Sequence, residues 1–131
     1  IEFDWDRVLS FEGDSGPYLQ YANTRAKSIL EDAEQERTIT GEVEDAEHRL
    51  VKQLAAFPEL VEQAARQREP AKLANYLSRL SETFNAFYHS KRVLDAETDT
   101  AVQRRLELVE LFRDVTDQGL NLLGIDPLEE M

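Results

Sequence analysis

Leu73, Leu77, Leu80, Phe84 and Phe87 follow Pro70 at alternating steps of four and three residues. That rhythm sets all five on one stripe of a 3.6-residue helix. Proline suits the first turn, where its missing N–H goes unused. A helix is therefore predicted from Pro70 to about Leu94, and its stripe must be buried against other helices. The rest of the chain supplies them. After a turn over Gly13 to Pro17, with Ser15 as N-cap, a helix to about Glu36 would turn Leu19, Ala22, Ala26, Ile29, Leu30 and Ala33 inward. Thr38 to Gly41 break it. Residues 43–57 align Val43, Ala46, Leu50, Leu54 and Phe57, and Pro58 starts a short helix over 59–67. A last helix over 98–123 points Ala101, Leu108, Phe112, Val115 and Leu122 inward, and Gly124 with Asp126-Pro127 stops it. Gly119 on its inner face costs about 1 kcal/mol relative to Ala, which implies close approach of a neighbouring helix. A short leading helix is expected over 3–10. No period-two pattern competes, so the expected fold is all-α, a bundle of five to six helices.

At 131 residues the chain makes one domain. Its 41% hydrophobic and 32% charged content is that of a globular protein, not a disordered one. No apolar run approaches the roughly 18 residues of a membrane span, and no signal-type run opens the chain. Beginning at Ile1, it reads as a piece of something longer. The lack of cysteine excludes disulfides and thiolate metal sites and suits a reducing, cytoplasmic setting. A net charge of −12 argues against nucleic-acid binding taken alone. The charge is uneven, however. Residues 31–47 hold eight acids against Arg37 alone, which reads as a solvated helix end and loop.

Catalytic patterns are missing. His48 and His89 fall in different helices without metal-ligand spacing and read as surface residues. No glycine-rich phosphate cradle follows a strand. Ser78, Ser81 and Ser90 have no adjacent base, and solvation on a helix surface accounts for them. Glu129-Glu130 read as exposed tail, not as a glycosidase pair. No catalytic or metal-binding residue is expected, and any chemistry is carried elsewhere.

On the first long helix, Tyr18, Tyr21 and Arg25 fall within about 60° of one another, beside the buried stripe. On the Pro70 helix, Tyr88 and Arg92 lie about 40° apart, also off the stripe. Aromatic faces stack on unpaired bases, and arginine contacts phosphates or base edges. The same placement also suits a tyrosine whose ring is buried and whose hydroxyl stays wet. Wheel position alone leaves both readings open.

The run Phe11-Glu12-Gly13-Asp14-Ser15-Gly16-Pro17-Tyr18-Leu19-Gln20-Tyr21-Ala22-Asn23-Thr24-Arg25 resembles the opening of the anticodon-binding domain of arginyl-tRNA synthetases, the all-helical DALR domain. Asn23 departs from it, standing where that family usually has His. Phe3-Asp4-Trp5-Asp6 is similar to the family's joint between catalytic and anticodon domains, so residues 1–10 are expected as joint and 11–131 as the domain. Leu54, Phe57-Pro58-Glu59 and Pro70 fall where the family has its short middle helices. Tyr76-Leu77, Phe84, Phe87-Tyr88 and Arg92-Val93-Leu94 resemble its fourth helix, and the tail from Gly119 through Leu122-Leu123-Gly124-Ile125 to Met131 resembles the enzyme's C-terminus.

The resemblance implies tRNA contacts at Tyr18, Tyr21, Arg25, Tyr88, Arg92 and Met131. It further implies arginine-specific tRNA as partner, held by its anticodon loop, and a catalytic domain upstream in the same chain. ATP and arginine would be used there, with no cofactor in this piece. A monomer with no membrane contact is expected. Two rivals stay open at this point: the equivalent domain of another synthetase, such as the glycyl enzyme's β subunit, and an acidic helical module that binds proteins.

Overall fold

The computed structural model describes residues 15–38, 41–90, 93 and 95–124. The expected joint and leading helix, the turn before Ser15 and the tail beyond Gly124 lie outside the described residues. Among the described residues five helices follow in order: α1 (Ser15–Glu31), α2 (Asp45–Ala55), α3 (Phe57–Gln67), α4 (Pro70–Ser90) and α5 (Asp99–Leu122). No strand occurs among the described residues, and the all-α expectation holds.

Local chemistry explains the helix ends. α1 stops at Glu31, short of Glu36, because its last turn has no basic residue and continues into acids, the wrong sign for a helix C-terminus. α2 starts at Asp45, later than residue 43, where Asp45 and Glu47 favour the positive end of the dipole. The Glu44 N–H donates to the Glu47 carboxylate at 2.9 Å as half of a capping box. Phe57 opens α3 instead of ending α2, since the Ala56 N–H closes α2 onto Gln53 and Leu54. Pro58 lies in the first turn of α3 as expected. Thr98 caps α5 by accepting from the Ala101 N–H at 3.1 Å. Gly124, at φ 79°, follows α5 in the left-handed conformation that ends helices.

α4 and α5 touch each other and both contact α1 and α2; α3 packs on α4. The main core joins Ala22, Ala26 and Leu30 of α1 to Leu50 of α2, Phe84 and Phe87 of α4, and Leu106, Val109 and Phe112 of α5. At its centre the rings of Phe84 and Phe112 stack with centroids 4.0 Å apart. A smaller cluster seats Leu19 against Phe57, Leu77, Leu120 and Leu123. Gly119 does mark a close approach: a Cβ there would lie 2.7 Å from both Leu77 methyls.

Three expectations need correction. Leu122 is 55% exposed, because the stripe of α5 runs through Thr116, Gly119, Leu120 and Leu123 and leaves Leu122 on the far side. Ser78 and Ser81 are buried, not solvated; they lie on the core face of α4. Glu47 is fully buried within the acidic run, gripped by Arg104 and Arg105 of α5 with both Nε–O distances 3.1 Å.

Candidate nucleic-acid interface

The rotation of α1 about its own axis decides which side chains reach solvent together. Asn23, fully buried, sets it. Its amide nitrogen donates to Thr116 Oγ1 at 2.7 Å and Asp117 Oδ1 at 2.9 Å on α5. Lys27, one turn on, reaches Asp117 at 3.4 Å. Tyr21 lies about 200° around the helix from Asn23, so pinning Asn23 to α5 turns Tyr21 outward. Tyr18 and Arg25 then look toward the second half of α4.

There the two helices build one cluster. The Arg25 guanidinium carbon sits 4.9 Å from the Tyr21 ring centroid and 4.6 Å from that of Tyr88. Both distances are within cation–π range. Arg25 Nη2 donates to the Tyr21 hydroxyl at 3.0 Å, and Nη1 to Asn85 Oδ1 at 3.1 Å. Asn85 Nδ2 in turn donates to the Tyr18 hydroxyl at 2.6 Å. Tyr88 meets His89 edge-on at 5.4 Å, and both are exposed, as is His48. Tyr21 keeps 50% of its surface exposed and Tyr88 37%, so aromatic area remains open beside a cation whose partners here are neutral.

Four of the six expected contact residues, Tyr18, Tyr21, Arg25 and Tyr88, thus come together. Arg92 and Met131 lie outside the described residues. Asn85 was not anticipated from the sequence. It stands three residues before Tyr88, on the same face, and asparagine is a poor helix former at such a position unless its amide is used. Other features of the molecule offer less. A polar cavity of about 420 Å³ is lined in part by Glu44, Asp95, Glu97, Arg104 and Arg105, but its arginines are already paired with Glu47 and Glu44. Among the described residues no cluster has metal-holding composition, and no helix is long and apolar enough to cross a membrane.

Residues 19–131 match the DALR anticodon binding domain. The chain belongs to that family. The arginine–tRNA ligase of Vibrio campbellii is 41% identical over 136 residues, covering 98% of this chain and 23% of that protein. That of Methanospirillum hungatei is 43% identical over 129 residues, again 98% of this chain and 23% of the relative. The solved arginyl-tRNA synthetase of Thermus thermophilus superposes with a TM-score of 0.85 at 38% identity, over 100% of this chain and 24% of that one. The chain therefore spans about a quarter of the length of these relatives. Of the clustered residues, Tyr21, Arg25, Asn85 and Tyr88 fall inside the DALR match, and Tyr18 lies one residue ahead of it.

Proposed function

We propose that this DALR domain is the anticodon-binding part of an arginine–tRNA ligase. It holds the anticodon stem-loop of arginine-specific tRNA and so sets the acceptor end in a distant active site. That site belongs to an upstream catalytic domain, which uses ATP to form an arginyl-adenylate and transfers arginine to the tRNA. Residues 1–10 serve as the joint and residues 11–131 as the domain. The whole enzyme acts as a cytoplasmic monomer, with Arg92 and Met131 adding contacts to the loop.

The observation that supports this reading most is the Arg25 guanidinium lying between the Tyr21 and Tyr88 rings. Exposed aromatic faces next to a cation suit unpaired bases and the phosphates that join them. The acidic run starts at Glu31, about 9 Å past Arg25 along the helix axis, roughly one Debye length at physiological salt.

The test uses the full-length enzyme with Tyr21→Ala and Arg25→Ala. Affinity for tRNA should fall roughly fivefold to hundredfold, while arginine-dependent pyrophosphate exchange and melting temperature stay near wild type. Unchanged affinity in both folded variants sinks the assignment.

A further inference from the structure

Hydrogen-bond direction along this cluster is set from one end. Arginine only donates, so the Asn85 atom facing Arg25 must be the oxygen. This removes the usual ambiguity of an amide side chain. The other end of Asn85 is then a donor, and the Tyr18 hydroxyl oxygen accepts from it. The Tyr21 hydroxyl likewise accepts, directly from Arg25. Each phenol has one proton of its own, and none of the hydrogen bonds made by Tyr18 or Tyr21 uses it. Both hydroxyls are left as donors toward an outside group, next to the remaining guanidinium N–H bonds. Donors therefore outnumber acceptors on the polar part of this surface.

We propose that Asn85 is a positioning residue that relays the polarity of Arg25 to Tyr18, so that the surface selects hydrogen-bond acceptors of RNA. The inference rests on the tRNA reading above and adds the chemistry of recognition. Acceptors of the required kind are base carbonyl oxygens, unprotonated ring nitrogens and phosphate oxygens. An amino group of a base placed against a hydroxyl proton or a guanidinium N–H loses affinity, because a donor meets a donor.

Asn85→Asp tests the relay. Both oxygens of the new carboxylate accept: one retains Arg25, and the other draws in the Tyr18 proton, so the hydroxyl no longer donates outward. The substitution also adds a negative charge, which weakens RNA binding regardless. A double-mutant cycle with Tyr18→Phe separates the two effects. The affinity of the full-length enzyme for an arginine-specific tRNA transcript is measured for wild type, each single variant and the double variant. Melting temperatures confirm folding. Tyr18→Phe should weaken binding about threefold to tenfold, the loss of one hydrogen bond. Asn85→Asp should cost less in the Tyr18→Phe background than in wild type, by about the same factor.

Equal cost in the two backgrounds, or no effect of Tyr18→Phe, overturns the relay while tRNA binding itself stands. Failure of the wild-type enzyme to bind the transcript overturns both the functional reading and the relay. Repeating Tyr18→Phe on transcripts with altered anticodon bases assigns the acceptor. A loss that varies with the base supports a base edge, and a constant loss supports the sugar–phosphate backbone.

Discussion

Arg25 of α1 and Tyr88 of α4 meet with guanidinium and ring centroid 4.6 Å apart, and this contact joins two distant parts of the chain into one surface. Tyr88 should therefore behave as part of the α1 motif. Tyr88→Ala is expected to lower tRNA affinity roughly fivefold to hundredfold, from about 1–3 kcal/mol of lost base stacking. Tyr88→Phe, which keeps the ring, should stay close to wild type. Filter binding of tRNA to the full-length enzyme checks both.

Gly119 faces the Leu77 methyls with no room for a side chain. Gly119→Ala gains helix propensity of about 1 kcal/mol, yet it forces a contact of 2.7 Å against a fully buried leucine. Overpacking of this kind costs about 1–3 kcal/mol, so the net effect should be destabilising. In a Leu77→Ala background the clash disappears and Gly119→Ala should become stabilising. Urea unfolding of the four proteins decides the sign.

Glu47 neutralises two buried arginines that also belong to the seam between α2 and α5. Glu47→Ala leaves Arg104 and Arg105 without their shared carboxylate. The expected loss is about 3–5 kcal/mol, the usual cost of removing one partner from a buried ion pair. Glu44 meets Arg105 at 3.4 Å from a much more exposed position, and Glu44→Ala should cost under about 1 kcal/mol through that ion pair. Chemical denaturation separates them.

Tyr76 donates to the Gln53 carbonyl at 2.6 Å, and burial raises its pKa from 10.0 to about 12. The folded state holds the phenolic proton more tightly than the unfolded chain does. Its stabilising contribution is therefore complete below pH 10 and declines as pH rises toward about 12. Tyr76→Phe should lose about 1 kcal/mol near neutral pH with the hydrogen bond. Above pH 10 the gap between wild type and variant should narrow, as unfolding free energies measured from pH 8 to 12 will show.

Much of the site was legible because Tyr18, Tyr21 and Arg25 lie within two turns of one helix, where spacing alone dictates a shared edge. Tyr88 could be named from its place beside Phe84 and Phe87, but nothing local linked it to Arg25. Asn85 escaped notice because its role depends on α1 and α4 crossing at that height. Asn23, visible as a departure from the DALR motif, gave no sign of its bonds to Thr116 and Asp117, which lie more than ninety positions away.

The sequence by itself determined the helices, their breaks and most of their buried faces, since periodicity, proline, glycine and terminal charge act over a few residues. It also determined that Gly119 needed a close neighbour, though not that the neighbour is Leu77. Only the tertiary structure decided that Glu47 is buried instead of solvated, that Leu122 faces outward, and that Arg25 lies between two tyrosines from different helices. Each of those outcomes depends on how one helix is rotated against another. That rotation is settled by contacts between residues far apart in the chain, such as Asn23 with Thr116 and Phe84 with Phe112, which no local pattern encodes.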